Sequence, residues 1–281
     1  MSTVEKSLKL IRHKDRPNAL DYINFLFPDF VELCGDRLSG DDPSVVGGIA
    51  SFMNIPVTVV GQVKGRNLEE NMKYNFSMNK PEGYRKALRL MRQAEKFDRP
   101  IICFVDTVGA FPGVEAEEHG QHIAIANNLM FMMNLRVPII SILIGDGGSG
   151  GALALCAANE IAALENAVLS VISPKAAANI LWKDSSRDME AAEMLKMTAD
   201  ELKEMRIVDE VIPETNKGAH DNPSIVAENI KQYLVKAINK YKYMTGSKLV
   251  ALRNDKFRKI GEYTVKTPEP EAPVPAEEEQ K

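Results

Sequence analysis

The 281-residue chain has little of what would place it in several large classes of protein. It carries three cysteines, Cys34, Cys103 and Cys156. They lie far apart, two of them in apolar runs, which argues for reduced core thiols and against a disulfide framework or a zinc site. Net charge is small: 35 basic against 39 acidic side chains leave −4, so no global field recruits nucleic acid or an acidic membrane surface. No apolar stretch approaches the ~20 residues of a membrane span. The opening segment, MSTVEKSLKLIRHKDRP, lacks the apolar block of a signal peptide. A cytoplasmic protein, away from membranes, is the expectation. With 44% apolar and 26% charged residues the chain reads as an ordinary globular one, long enough for one large domain or two small ones.

What is present centres on IISILIGDGGSGGALALCAA, residues 139–158. The β-branched run Ile139–Ile144 predicts a buried strand. Gly145–Gly150 predicts a turn suited to glycine, and the residues from Gly151 to Ala158 are strong helix formers. Unpaired N–H groups at such a helix start can face an anion, a phosphate or an oxyanion.

Upstream, Val4–Arg12 reads as a short basic helix. Asn18–Cys34 carries a helix-like apolar stripe that Pro28 interrupts. Cys34–Pro43 is a polar turn cluster, either a connector or a partner-facing loop. Val45–Lys64 reads as a β-hairpin. Lys64 and Arg66 leave it beside Gly65, either as solvated cations or as a grip on a phosphate or carboxylate. Pro81–Phe97 predicts a helix whose basic side (Arg85, Lys86, Arg89, Arg92) reads most simply as a solvated face. Pro100–Val105 is a second buried strand, followed by the loop Asp106–Gly113, which includes Gly109 and Ala110. A helix over Glu115–Leu135 then leads back to the Ile139 strand. Strand, glycine loop and helix thus occur twice in succession, the order of right-handed crossover units, and ligands of such sheets collect at the carboxyl ends of the strands. Further on, a strand within Glu165–Ser173, helices over Ala176–Trp182, Glu190–Met205 and Ser224–Tyr243, and a strand-like Arg206–Pro213 are expected. From Thr267 the Pro/Glu/Ala-rich tail reads as disordered.

Several chemistries fit the glycine stretch locally. Gly145-x-Gly147-x-x-Gly150 matches a dinucleotide fingerprint, but the acidic residue expected about twenty positions on is absent from Leu169–Ile172. Gly147-x-Ser149-x-Gly151 matches a nucleophile elbow. Its histidine base would have to be His220, or His119 or His122 from an upstream helix. The backbone N–H groups could instead stabilise a developing oxyanion without any side-chain nucleophile. A binding module without catalysis would leave the convergence of two glycine loops unexplained.

Longer strings narrow the choice. DTVGAFPGVEAEEHGQ (106–121), IGDGGSGGALAL (144–155) and VISPKAAANILWKD (171–184) resemble the carboxyltransferase alpha subunits of bacterial and plastid-type acetyl-CoA carboxylase. The likeness spans about Arg12 to Gly261 and includes RPNALDYI, GDRLSGDDPSVVGGIA, PVTVVGQVKGR, PEGYRKALRLMRQAEKF and KGAHDNP. It implies an α/β crotonase-like fold, a spiral of ββα units with flanking helices. In that division, 1–40 is an N-terminal helical segment, 41–245 the carboxyltransferase core, 246–266 a C-terminal extension and 267–281 the tail.

The resemblance also implies a reaction and its participants. Carboxylate moves from carboxybiotin, covalently held on a separate biotin carboxyl carrier protein and charged by biotin carboxylase, to acetyl-CoA, giving malonyl-CoA for fatty acid synthesis. An obligate beta subunit, carrying a four-cysteine zinc ribbon, completes an α2β2 assembly. This chain has neither four cysteines in a cluster nor a Met-Lys-Met biotin-accepting motif, in keeping with the alpha role and with no metal of its own. The Gly150 and Gly151 amides are implied as the oxyanion hole on the biotin side. Gly147, Gly148, Gly109, Ala110, Lys64 and Arg66 are expected to bind substrate or shape the site. The liberated biotin can itself act as base. The alternative is a carboxyltransferase of another biotin-dependent acyl-CoA carboxylase or decarboxylase, with a serine hydrolase using Ser149 behind it. The chain departs from the family pattern at Val108 (for proline or lysine), Phe111 (tyrosine), His119 (arginine), Asp146 (glutamate) and Lys175-Ala176 (Glu-Gly). With both glycine loops intact, a working enzyme is expected.

Overall fold

In the computed structural model, which describes residues 2–261 and 263, the basic N-terminal pattern is helix α1 (Thr3–Ile11), burying Val4, Leu8 and Ile11 on one side. Asn18 starts α2 (Ala19–Leu26). Its side chain accepts from the Leu20 and Asp21 amides while Asp21 reaches back to the Asn18 amide, a reciprocal cap. The helical stripe ends before Pro28, so a helix reaching Cys34 does not form, and the chain instead adds a short strand β1 (Val31–Glu32). The predicted tail from Thr267 lies outside the described residues.

The expected hairpin is β2 (Val45–Phe52) and β3 (Ile55–Gln62), paired antiparallel through Met53–Asn54. Both turn residues take positive φ, 51° and 63°, as a two-residue hairpin turn requires. α3 (Leu68–Lys73) and β4 (Met78–Asn79) lead to α4 (Pro81–Lys96), with proline at its first turn. Then follow β5 (Ile101–Thr107), β6 (Gly109–Ala110), α5 (Val114–Glu118), α6 (Gln121–Asn134), β7 (Ile139–Gly148), α7 (Ser149–Leu153), β8 (Glu160–Leu164) and β9 (Val168–Ser170). The single helix predicted over Glu115–Leu135 is two, because Gly120 takes a left-handed φ of 77° between α5 and α6. α8 (Pro174–Trp182), α9 (Asp188–Met194), α10 (Ala199–Glu204), β10 (Glu210–Ile212), α11 (Pro223–Tyr241) and α12 (Gly246–Arg258) complete the order.

The main sheet runs β1-β2-β3-β5-β7-β8-β10, with β9 also paired to β7, and β4 and β6 make a small second sheet. From β3 onward the neighbours are parallel, so β5 and β7 end side by side. Their residues (Ile101–Val105, Ile139–Ile144) are fully buried in one core with α2, α4 and α11, which is why they read as unbroken apolar runs. The C-terminal helix docks through a buried arginine. Arg253 on α12 donates to the carbonyls of Met132, Leu135 and Val137 and to Asn159 Oδ1.

One sequence expectation fails on α4. Three of its four basic residues are not solvated, because they clamp the polar loop before β2, while Arg92 stays exposed over the Phe131 ring. Lys86 is fully buried and donates to Asp41 Oδ1 at 2.5 Å and to the Asp42 carbonyl at 2.9 Å. Arg85 holds Asp36 at 2.7 Å, and Arg89 donates to the carbonyls of Leu33 and Gly35. Burial alone would raise the Asp36 carboxyl. The amides of Gly40, Leu38 and Ser39 and the Arg85 guanidinium outweigh it and hold the group well below the usual carboxylate range. A carboxylate with a depressed folded pKa stabilises only while charged. Asp36→Asn is therefore expected to cost about 1.5–3 kcal/mol at pH 7 in urea titration. The gap to the parent chain should close as pH falls below about 3.9, where Asp36 protonates first in the unfolded and then in the folded chain.

Candidate active site

β5 and β7 deliver the two glycine loops to one edge of the sheet, but the second is not the six-residue turn that its composition suggests. β7 continues through Gly148, pairing Thr107 with Gly147 on one side and Val168, Leu169 and Ser170 with Asp146, Gly147 and Gly148 on the other. Among its glycines none takes a positive φ; the left-handed residue is Ser149, at 50°. The glycines provide room instead. A Cβ on Gly148 would lie 2.3 Å from the carbonyl carbon and oxygen of Val108, and one on Gly151 would lie 2.8 Å from Gly109 C and from Tyr84 Oη. The 107–110 loop thus rests directly on the end of β7 and the start of α7.

The helix that follows is also shorter than its composition predicts, five residues from Ser149 to Leu153. Ala154–Ala158 is buried and turns at once to deliver β8, with Ser141 Oγ donating to the Leu155 carbonyl. In the first turn of α7 the N–H groups of Gly150 and Gly151 have no acceptor among the described residues, as the start of any helix leaves them. Gln62 Nε2 fixes this turn from below, donating to the Gly151 carbonyl at 2.9 Å and to Asn79 Oδ1 at 2.7 Å. Opposite, Gly109 takes φ 142° with nothing within 4 Å of where its Cβ would point. Its amide is held by Thr107 Oγ1 at 3.1 Å, and Gly109 and Ala110 pair with Met78 and Asn79. The structure therefore gathers Gly109, Ala110, Gly147, Gly148, Gly150 and Gly151 around one opening.

The two expected cations lie differently. Lys64 is largely buried and donates to Asp146 Oδ2 at 2.5 Å, while the Asp146 amide donates to Asp106 Oδ1 at 2.9 Å. Burial would lower the Lys64 ammonium, but Asp106 and Asp146 hold it above the usual lysine range. Burial pushes Asp106 up, with Lys64 pulling against it. Lys64 thus ties the end of β3 to the tip of β7 and is committed to a protein carboxylate. Arg66 pairs with Asp21, which also caps α2, and stands apart from the glycine loops.

No histidine hydrogen-bonds Ser149 among the described residues. His220 stacks on His13 with ring centroids 3.7 Å apart, His119 Nδ1 lies 2.7 Å from Glu82, and His122 is exposed on α6. At 119, where the related pattern has a constant cation, the imidazole meets a carboxylate already bound by Arg85.

Sequence reasoning missed what braces β7. Arg16 is buried and donates through Nε and Nη2 to the Ile144 carbonyl at 3.0 and 2.8 Å, and through Nη1 and Nη2 to Glu214 at 3.0 and 2.6 Å. Glu214 also accepts from Asn166 and the Ala219 amide. The signal was in RPNALDYI, but nothing local tells that its arginine points inward. Arg16→Met is expected to cost about 3–5 kcal/mol by chemical denaturation, since it strands the Glu214 charge in the core. Arg16→Met with Glu214→Leu should recover part of that loss.

A protein-family profile described as acetyl co-enzyme A carboxylase carboxyltransferase-like matches residues 1–261. A Clostridium botulinum protein (strain Eklund 17B / Type B) named acetyl-coenzyme A carboxylase carboxyl transferase subunit alpha is 56% identical over 261 residues, covering 93% of this chain and 95% of its own. The Clostridium acetobutylicum protein of the same name is 54% identical over 256 residues, covering 91% and 93%. Among solved structures, transcarboxylase 12S superposes with TM-score 0.67 at 19% identity, over 84% of this chain and 44% of that one. A Pseudomonas malonate decarboxylase hetero-tetramer in complex with coenzyme A superposes with TM-score 0.66 at 18% identity, over 86% and 92%. At such identities these structures show the fold, the crotonase-like one expected from the sequence.

Proposed function

Because the chain belongs to the acetyl-CoA carboxylase carboxyltransferase alpha-subunit family, we propose that the opening between Gly109 and Gly150–Gly151 is its carboxyltransfer site. The enzyme is a biotin-dependent carboxyltransferase that acts with a beta subunit and converts acetyl-CoA to malonyl-CoA. Its relatives at 53–56% identity bear the acetyl-CoA carboxylase name. Likeness to a transcarboxylase and a malonate decarboxylase stays below 20% identity, so the alternative acyl-CoA carboxylase or decarboxylase reading is not favoured.

The observation that carries the site assignment is the pair of amides at Gly150 and Gly151. They lack acceptors among the described residues, and Gly151 lies against Gly109 and Ala110 with no room for a side chain. Carboxybiotin, when bound, supplies the carboxylate, and its ureido oxygen gains negative charge as that group leaves. Two fixed N–H donors at the end of a buried strand suit that charge and need no reorganisation to meet it. Gln62 and Asn79 hold the donors in place, and Lys64 with Asp146 keeps the strand tip from moving. Ala110 and Gly109 form the opposite wall, and Gly147 and Gly148 let the two loops close on each other.

In this reading biotin arrives on a separate carrier protein charged by biotin carboxylase. A zinc-ribbon beta subunit brings the acetyl-CoA side in an α2β2 assembly. Among the described residues no helix is long and apolar enough to cross a membrane, and the reading places the enzyme in the cytoplasm. Ser149 serves as a spacer, since no histidine activates it.

Three variants, assayed as malonyl-CoA-dependent carboxylation of biotin by the complex with the beta subunit, test the site. Gly151→Val meets backbone at 2.8 Å and should lower turnover at least about 100-fold while the subunits still co-elute. Gly150→Ala keeps its N–H and finds its nearest neighbour at 3.7 Å, so most turnover should remain. Ser149→Ala should also keep most turnover, whereas a nucleophile would lose nearly all of it.

A further inference from the structure

Three cavities meet at Arg12. The first, about 520 Å³, lies between α1 and α8–α9 and includes Lys9, Lys175 and Asp188. The second, about 180 Å³, includes Lys14, Lys64 and Arg66. The third, about 100 Å³, is bounded by Val108, Asp146, Gly147, Gly148 and Ser149, against the proposed carboxyltransfer site. Arg12 lines all three.

Four of the cations around it are committed, and Lys14 and Lys175 line only the two larger cavities. Lys9 pairs with Glu5, Arg16 with Glu214, Lys64 with Asp146 and Arg66 with Asp21. The Arg12 guanidinium has no hydrogen-bonded or ion-paired partner among the described residues. In the small cavity the anionic side chain is Asp146, which Lys64 neutralises, so Arg12 sets the sign of the field there. Its backbone is held on both sides: Ile11 packs with Val168, Ala192 and Met197, and Arg16, four residues on in the turn after α1, is locked to Ile144 and Glu214. An exposed guanidinium without a counter-ion among the described residues, lining a cavity too small for a large ligand, suits a planar anion that it can bind through two N–H groups.

We propose that Arg12 binds the carboxylate that is transferred. That group is the anion common to both sides of the reaction, carried on biotin before transfer and on malonyl-CoA after it. The proposal rests on the carboxyltransferase reading of the neighbouring glycines. It assigns Arg12 to substrate binding at the moving group, apart from the amides that meet the ureido oxygen.

The test compares two thioesters that differ only in that carboxylate. Dissociation constants for malonyl-CoA and acetyl-CoA are measured by calorimetry on the complex with the beta subunit, for the parent chain, Arg12→Ala and Arg12→Lys. Arg12→Ala should weaken malonyl-CoA about tenfold or more, as loss of a charge-assisted bond does, and leave acetyl-CoA within about twofold. Arg12→Lys should recover part of the malonyl-CoA affinity, because the charge returns without the planar fork. Equal weakening of both thioesters would mean that Arg12 meets the phosphates of coenzyme A, and unchanged affinities that it meets neither; both overturn the proposal. So would loss of subunit co-elution in Arg12→Ala and Arg12→Lys alike, which would make Arg12 an interface residue. Exchange between malonyl-CoA and biotin by the parent complex is measured alongside. If it is absent the carboxyltransferase reading itself falls, and if it is present only the role of Arg12 is in question.

Discussion

The buried pair of Arg16 and Glu214 is the interaction on which the arrangement depends, because of where β7 changes partners. Up to Leu143 that strand pairs with β8, and from Asp146 it pairs with β9. The Ile144 carbonyl falls in the gap, inside the core, where an unpaired acceptor would cost about 1–3 kcal/mol. Arg16 fills the gap with two N–H groups, and Glu214 neutralises the cation. A buried ion pair is rarely a large net stabiliser, because both charges must leave water. Its effect here is positional. It ties the segment after α1 and the loop after β10 to the point from which the glycine strand projects.

From that point the geometry of the site follows. Held at Ile144, β7 passes a bulge in its ladder with β5, continues to Gly148 and brings its tip against the 107–110 loop, with no space for a Cβ at Gly148 or Gly151. The chain then enters α7, whose first amides, like those of any helix, have no partner within it. Gln62 and Asn79 fix the turn from one side, and Lys64 with Asp146 from the other. What results is a set of donors whose position depends on packing.

Much of this was legible in the sequence, and the parts that were not share a cause. The β5 and β7 strands were readable as apolar runs because parallel strands are buried on both faces. The hairpin was readable from its alternation, and the family from long strings that short patterns cannot match. Gly145–Gly150 was misread as a turn because glycine is usually needed for its φ. Here it is needed for close approach of the 107–110 loop, about forty residues away in sequence but adjacent in space, which no local window reports. The basic side of α4 was misread for the same reason: charges count as solvated until the carboxylates that meet them, Asp36 and Asp41, are placed by the fold. Arg12 and Arg16, four residues apart in RHKDR, look alike in sequence; only tertiary structure gives Arg16 a carboxylate and leaves Arg12 without one among the described residues.

The central claim is that two backbone N–H groups do the electrostatic work of the site. It is tested most directly by removing one of them alone. Semisynthesis that replaces Gly151 by glycolic acid turns its amide into an ester, deleting the N–H while adding no bulk. In the assembled complex with the beta subunit, turnover should fall about 100- to 1,000-fold with unfolding and assembly close to those of the parent chain. Unchanged turnover in the ester would contradict the account.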